Sequence, residues 1–197
     1  MDVARRPPAL LRLFTRLSTF RTVTCIVYRH ERAVGVATDA EIRVVTPETV
    51  QDATSMETPE RIAEFEAFLA RGDRGYYGYL SGRVVHRSWA VKGPAVMRLW
   101  HRFGAWPVGA RDAYVHYCET APEARGHGLY PAALSRIAAD LAAEGVQSLF
   151  IATESQNQAS RRGIEKAGFV ARARVIVRVL FGFGFQQVIG IKSHVRA

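Results

Sequence analysis

The stretch from residue 121 to residue 131 constrains the fold of this chain more than any other. It follows an apolar, strand-like run at 113–120 and leads into a run with helical periodicity at 132–143. A turn between a strand and a helix leaves the first N–H groups of the helix without partners, so they can bind an anion such as a phosphate. Gly126 and Gly128 carry no Cβ that would block a ligand, and Arg125 and His127 add side-chain donors. Taken alone, two glycines spaced by one residue indicate a structural turn more often than a phosphate site.

The remaining pattern predicts a mixed α/β (α+β) fold. Strands are predicted at 22–28, 41–45, 76–80, 84–91, 148–153, 170–180 and 187–191, and helices at 8–20, 59–71, 132–143 and 157–167. Thr58 and Pro59 form a helix start, and Gly72 ends that helix. Residues 81–83 form a tight turn that predicts a hairpin. Strands and helices in this order predict a mixed sheet with helices on its faces.

The charge of the chain narrows its partners. A formal net charge of +9 and a pI near 10.1 favour anionic partners, namely phosphorylated cofactors, acidic carrier proteins, nucleic acid or anionic lipid, although a solvated basic surface is an equal alternative. The arginines are spread along the chain and do not alternate with aromatic residues on one strand face, which disfavours nucleic acid.

The two cysteines indicate a reducing compartment, and we expect the cytoplasm. Cys25 and Cys118 lie in strand-like runs without metal-ligand spacing, so no metal site is predicted. Arg12 and Arg16 interrupt the first apolar run too early for an export signal, and no apolar run is long enough for a transmembrane helix.

A second motif strengthens the first. Asn157 and Ser160 precede a Lys-x-Gly-Phe sequence at 166–169, and they follow the 121–131 stretch by one predicted helix and one predicted strand. Two linked motifs at this separation are far more specific than either alone.

Together the two motifs resemble those of the GNAT superfamily of acyl-CoA-dependent N-acyltransferases. The first signature of that family is Arg or Gln, two residues, Gly, one residue, then Gly or Ala. Arg125 and Gly128 match it and Tyr130 departs from it. The resemblance is strong over 113–169, plausible from residue 76 onward and absent from about the first fifty residues. It implies a single acyltransferase domain over 1–197, with a divergent part at 1–50 and a cofactor-binding core at 113–169.

The resemblance also implies a binding site for acetyl-CoA or another acyl-CoA. The sheet is expected to splay after its fourth core strand, which ends at Thr120, and the pantetheine arm is expected to lie in the opening. The implied cofactor-binding residues are Cys118, Glu119 and Thr120 along the arm, the backbone of Arg125, Gly126, His127, Gly128, Leu129 and Tyr130 around the pyrophosphate, and Asn157 and Ser160 facing the arm from the second helix.

The implied reaction is the attack of a neutral amine on a thioester carbonyl, without a covalent enzyme intermediate. Cys118 is therefore not expected to be a nucleophile. Glu119 and His116 are the candidate catalytic bases, and their odd spacing puts them on one face of the strand only if a bulge separates them. For each of them, a purely structural role is the more frequent outcome.

The sequence does not identify the residue that donates a proton to the departing sulfur. Many family members have a tyrosine at the position of Ile164, so here the thiolate leaves unassisted or another group, Tyr130 or Tyr117, substitutes. On the hairpin, His86 and Trp89 are weaker candidates for contact with the acceptor.

We favour an N-acyltransferase, and within that class an N-acetyltransferase, that acts on a primary amine of a small molecule. One alternative is an N-acyltransferase whose donor is an acylated acidic carrier protein, which the basic surface would attract. The other is a non-catalytic basic binding module on the same fold. We expect the acceptor pocket to come from the N-terminal half and residues 97–109, where no motif is present.

Overall fold

The computed structural model describes residues 21–93, 109–180 and 183–190. The predicted helix at 8–20 and nearly all of the aromatic-rich segment at 97–109 lie outside these residues.

In the part of the chain that the structure describes, eight strands form one mixed sheet. In chain order they are β1 (Arg21–His30), β2 (Glu41–Val44), β3 (Arg74–Leu80), β4 (Arg83–Lys92), β5 (Asp112–Thr120), β6 (Ser148–Glu154), β7 (Phe169–Leu180) and β8 (Phe183–Gly190). Their order in the sheet is β2-β3-β4-β5-β6-β1-β7-β8. β5 and β6 are parallel, and the other neighbouring pairs are antiparallel. Within the described residues three α-helices accompany the sheet, α1 (Pro59–Ala70), α2 (Leu129–Ala143) and α3 (Gln158–Lys166).

The sheet opens between β5 and β6. Their pairing runs from Asp112 and Ser148 to Val115 and Ile151 and does not continue beyond that pair. Past it, β5 stays paired with β4 as far as Thr120, while β6 pairs with β1. The β6-facing edge of residues 116–120 therefore has no strand partner in the described part of the chain. β5 is the fourth strand of the β2–β5 half, so the predicted splay after the fourth core strand is confirmed.

β1 lies inside the sheet, between β6 and β7. Cys25 pairs with Glu154 on one side and with Val175 on the other. Val27 and Tyr28 are fully buried, so the strand contributes to the core on both faces of the sheet. The apolar pattern predicted this strand but not its central position.

Helices cover both faces of the sheet, as predicted. On one face, α2 and α3 pack Leu134, Ile137 and Ile164 into a cluster that includes Tyr28 and Ile151. On the other face, α1 packs against β3 and β4 through Phe65, Phe68, Tyr77 and Trp89.

Local signals in the sequence are confirmed around α1 and in the hairpin. The Thr58 hydroxyl accepts the N–H of Arg61 at 3.4 Å, Pro59 is the first residue of α1, and Gly72 follows its end with φ +89°. Ser81 and Gly82 connect β3 to β4 with φ of 50° and 76°, as a tight turn of the primed type requires.

Several elements differ in extent from the prediction; β8, for example, begins at Phe183 and not at residue 187. α2 begins at Leu129 and not at residue 132, because the buried Leu129 side chain packs with Ala121 and Ala124 and draws the first turn into the helix. The segment predicted as loop at 46–58 contains a short 3₁₀ helix, Val50–Ser55, which buries Val50 and Ala53 under α1.

Candidate active site

An open cleft of about 520 Å³ lies where the sheet splays. Its walls are the end of β5, the loop before α2 with the first turn of α2, and the N-terminal part of α3. The lining residues are Cys118, Glu119, Thr120, Ala124, Arg125, Gly126, Gly128, Leu129, Tyr130, Pro131, Asn157, Ala159, Ser160 and Gly163. Every residue that the sequence predicted for cofactor binding is among them except His127. The His127 side chain is exposed, and its backbone carbonyl accepts a hydrogen bond from the Thr38 hydroxyl at 3.0 Å.

The loop at the mouth of the cleft has the backbone of an anion site. Gly126 and Gly128 have φ of +90° and +72°, a region that favours glycine. Within the described residues, the N–H groups of 126–130 make no hydrogen bond to the protein. Gly128 also passes close to Ala37, since an added Cβ would lie 3.0 Å from the Ala37 carbonyl oxygen. Unpaired N–H groups beside the exposed Arg125 suit a phosphate group.

The polar residues of α3 that face the cleft are engaged within the protein. The Asn157 side-chain oxygen accepts the N–H of Ser160 at 3.0 Å and so caps α3. The Ser160 hydroxyl lies 3.3 Å from the phenol oxygen of Tyr130. The helix cap fixes the orientation of the α3 wall.

Tyr130 reaches from α2 across the cleft to α3. Its ring lies against Gly163, where an added Cβ would be 2.6 Å from Tyr130 Cδ1, and its centroid is 5.9 Å from that of the His86 ring. Burial raises the pKa of Tyr130 well above its usual value, so the phenol is protonated at neutral pH. The residue that departs from the family signature thus places a half-buried phenol inside the cleft.

Cys118 lines the cleft as a neutral thiol. Burial raises its pKa to about 11, and its Sγ lies 3.6 Å from the His116 carbonyl oxygen. A thiol in this state is a poor nucleophile.

A bulge in β5 determines which side chains face α1. The β4–β5 register shifts between Arg87 and Trp89, and Tyr117 has φ +52°. Glu119 stands opposite Arg87 and His116 opposite Trp89. Arg87 and Trp89 are two residues apart on β4, so they lie on the same face of the sheet. Their partners Glu119 and His116 therefore also share one face, the face toward α1. The bulge on which the same-face prediction depended is therefore present.

Glu119 belongs to a charged network at the end of the cleft. Its Oε2 accepts from Arg87 Nη2 at 2.7 Å, and the same guanidinium donates to Glu57 and to the Tyr117 carbonyl oxygen. The Arg87 side chain is 6% exposed and that of Glu119 is 55% exposed. Glu119 therefore presents a solvent-accessible carboxylate that a buried arginine holds in place.

His116 lies deeper, under α1, and does not line the cleft. Its Nε2 is 3.2 Å from Asp73 Oδ2, and its ring packs edge-on against Phe68. Arg71 Nε donates to Asp73 Oδ1 at 2.9 Å. Although burial raises the pKa of Asp73, the hydrogen bonds from His116 and Arg71 outweigh it, and the pKa lies below its usual value. Sequence reasoning missed Asp73, since nothing in the local pattern connects it to His116.

His86 and Trp89, the weaker candidates for contact with an acceptor, are both fully buried and do not line the cleft. Trp89 is fully buried against Phe65 and Phe68. His86 Nδ1 is 2.7 Å from the Thr120 hydroxyl and its Nε2 is 2.8 Å from the Ser88 hydroxyl. Burial, together with the charge of Arg87, lowers the pKa of His86 to about 3, so its ring is neutral and bridges β4 and β5.

Tyr117 is not part of the cleft wall. Its ring is 39% exposed, and its hydroxyl accepts a hydrogen bond from Arg61 at 3.2 Å on the α1 side. Of the two tyrosines considered from sequence as proton donors, only Tyr130 lines the cleft.

Within 21–93, 109–180 and 183–190, no group of three or more His, Cys, Asp or Glu residues could hold a metal ion. In the same ranges, no helix has the length and apolar character of a membrane-spanning segment.

The family model for the acetyltransferase (GNAT) family matches residues 23–169. The chain belongs to this family. The match begins within the first fifty residues, where motif reading found no resemblance. The GNAT assignment agrees with the splayed sheet and with the glycine loop before α2.

Solved GNAT structures share the fold at low identity. A GNAT acetyltransferase from Colwellia psychrerythraea superposes with a TM-score of 0.60 at 18% identity, covering 84% of this chain and 58% of the other. One from Novosphingobium aromaticivorans gives 0.55 at 18% identity, covering 79% and 63%. This chain therefore spans less than two thirds of these two relatives. The aminoglycoside N-acetyltransferase AAC(6′)-Iy in complex with CoA gives 0.52 at 14% identity, covering 66% and 91%. No curated protein matches the chain.

Proposed function

We propose that this GNAT protein is an N-acetyltransferase that moves the acetyl group of acetyl-CoA to a primary amine of a small molecule by direct attack. The observation that carries the proposal is the cleft at the splay, which combines an unpaired strand edge along residues 116–120 with an anion-binding loop at its mouth. A strand edge suits the amide-bearing pantetheine arm, and the loop suits the pyrophosphate.

The donor fits the residues present. Arg125 and the free N–H groups of 126–130 would bind the pyrophosphate, and the backbone of Cys118, Glu119 and Thr120 would bind the arm. Asn157 and Ser160 would face the arm from α3. In this arrangement we assign residues 113–169 as the cofactor-binding core of one acyltransferase domain over 1–197.

Direct attack suits the chemistry of the cleft walls. The Cys118 thiol is neutral, so an acyl-cysteine intermediate is disfavoured. Holding the amine and the thioester in line, with donors to the oxyanion, can supply much of the rate enhancement.

We propose Glu119 as the base that takes the proton of the attacking amine. Its carboxylate is exposed in the cleft and is held by Arg87, as a positioned base requires. His116 is the second candidate, with Asp73 fixing its ring, but its burial under α1 sets it farther from the cleft opening.

A second donor, an acylated carrier protein, is favoured by cations beside the cleft. Arg162 and Lys166 are exposed on α3, and their spacing from Ala159 and Gly163 puts them on the flank next to the cleft. An acidic carrier protein would be attracted to the same cations. The two free cysteines, Cys25 and Cys118, agree with a cytoplasmic setting.

One experiment separates these functions. Thermal shift and calorimetry with CoA, acetyl-CoA and longer acyl-CoAs measure donor binding, and release of free thiol with a panel of amines measures turnover. We expect acetyl-CoA to stabilise the protein and to release CoA only when an amine is present. Turnover with acetylated carrier protein but not with acetyl-CoA would establish the carrier donor. Absence of all donor binding, with salt-sensitive binding of nucleic acid, would establish the binding module.

A further inference from the structure

We propose that Tyr130 is the catalytic acid that protonates the departing sulfur of the acyl donor. The inference rests on the proposed function and assigns one of its steps to a residue of this chain. The geometry that carries it is a half-buried phenol inside the cleft, held against a glycine of the facing helix.

The amine nitrogen bonds to the carbonyl carbon, the carbon–sulfur bond breaks, and its electron pair goes to sulfur. Glu119 takes the proton that the nitrogen loses, and Tyr130 gives its hydroxyl proton to the sulfur. Glu119 then releases its proton to solvent, and solvent returns one proton to the phenolate of Tyr130. The products are the acetylated amine and the free thiol, with no net change on Tyr130.

The other polar side chains of the cleft wall are held within the protein or lie at the mouth. The Thr120 hydroxyl is 2.7 Å from His86 Nδ1, the side-chain oxygen of Asn157 caps α3, and Arg125 lies exposed at the mouth, where the pyrophosphate is expected. The contact of Tyr130 with Ser160, at 3.3 Å, is long for a bond between hydroxyls. The Tyr130 hydroxyl also contacts the Cys118 thiol, which is a weak acceptor, so a ligand sulfur in the cleft would compete with weak partners for its proton.

Gly163 makes this position of the phenol possible. Any side chain there would collide with the Tyr130 ring, since even a Cβ would come within 2.6 Å of it. The next residue, Ile164, points into the core and is fully buried. Helix α3 thus supplies space for a phenol but no proton donor of its own at 163 or 164, and α2 supplies the phenol.

Burial suits this role. A thiolate in a desolvated cleft is costly without a hydrogen-bond donor. Because burial also raises the pKa of Tyr130, the phenol keeps its proton across the neutral range and can act as that donor.

The test compares Tyr130→Phe with one matched control. Tyr76→Phe removes the same hydroxyl from a buried tyrosine of β3 that does not line the cleft. For each variant, kcat and KM are measured with acetyl-CoA. Calorimetry measures binding of CoA and of desulfo-CoA, which lacks the sulfur. The pH dependence of thiolate absorbance gives the pKa of the bound CoA thiol.

We expect Tyr130→Phe to lower kcat about 10²-fold with KM within a few fold, while Tyr76→Phe keeps kcat within a few fold. We expect the pKa of the bound thiol to rise by about one unit in Tyr130→Phe, because the thiolate loses its donor. Desulfo-CoA affinity should not change. Thermal melts check that each variant folds.

Two outcomes overturn the inference in distinguishable ways. Wild-type turnover together with unchanged kcat or an unchanged thiol pKa in Tyr130→Phe would overturn the role of Tyr130 alone. If wild-type protein neither binds CoA nor releases thiol, the proposed function fails and this step fails with it.

Discussion

The Tyr130 ring occupies the space that a side chain at Gly163 would need, since a Cβ on Gly163 would lie 2.6 Å from Cδ1 of Tyr130. The two residues belong to different helices, α2 and α3, which form two walls of the cleft. The Tyr130 ring can therefore take this position only because residue 163 has no side chain.

Gly163→Ala should destabilise the wild-type protein but stabilise a variant that lacks the Tyr130 ring. In the wild-type background we expect a loss of about 1–3 kcal/mol in the free energy of unfolding, because the added methyl group overpacks against the ring. In a Tyr130→Ala background the same change should stabilise the protein by roughly 0.5–1 kcal/mol, since alanine is favoured over glycine within a helix. Urea unfolding of the four proteins measures both values. Equal effects in the two backgrounds would show that the contact does not constrain either residue.

Arg125→Ala should weaken CoA binding. Loss of a charge-assisted hydrogen bond to phosphate costs about 1.5–3 kcal/mol, which is roughly 10- to 150-fold in Kd. Calorimetry at two salt concentrations should also show a smaller salt dependence than in the wild type. Arg83→Ala, at the exposed start of β4, is the matched control and should leave Kd unchanged. Equal losses in the two variants would indicate a general charge effect and not a phosphate site.

Glu119→Gln should lower kcat about 10²- to 10³-fold while the Kd for acetyl-CoA changes little, because the amide cannot accept the amine proton. Steady-state kinetics and calorimetry measure the two quantities. Glu57→Gln is the control, since Glu57 binds the same Arg87 guanidinium without lining the cleft. If Glu57→Gln lowers kcat as much as Glu119→Gln, the effect arises from displacement of Arg87 and not from loss of a base.

His86 should make stability depend on pH between about 4.5 and 6.5. Its pKa is about 3 in the folded protein and near 6.5 in an unfolded chain, so the unfolded state binds more protons in this range. The full contribution is present above about pH 6.5 and is lost as the pH falls, by up to about 1.4 kcal/mol per pH unit.

Urea unfolding of wild type and His86→Asn across this range measures that contribution. The pKa of His30 is lowered by burial as well, so wild type and variant share its contribution and the difference between them isolates His86. Asp73 acts at lower pH, because its pKa is below the usual carboxylate range. Parallel stability curves for the two proteins would contradict a neutral buried ring at position 86.

Features set by neighbouring residues were predictable from the sequence. The Thr58 cap, the Ser81–Gly82 turn and the glycine loop before α2 each depend on a few adjacent residues, and the structure has all three. The walls of the cleft were predictable because two spaced motifs fix one strand end and two helix starts.

Features set by contacts between distant segments were not predictable. Asp73 meets His116 across two elements, and the bulge at Tyr117 depends on how β5 pairs with β4. The sequence raised Tyr130 only as an alternative donor, because its contact with Gly163 exists only once α2 and α3 pack together. A single sequence contains these residues but does not show which of them come into contact in the fold.

The central position of β1 has a consequence for how the chain is made. The ribosome releases residues 21–30 long before β6 and β7, the two strands that flank them in the sheet. Until β6 has emerged, this segment has neither of its flanking strands, and until β7 has emerged one of its edges stays unpaired and exposed to aggregation or to chaperones. Completion of the fold is therefore a late event in synthesis, with slow, non-local strand pairing as its final step.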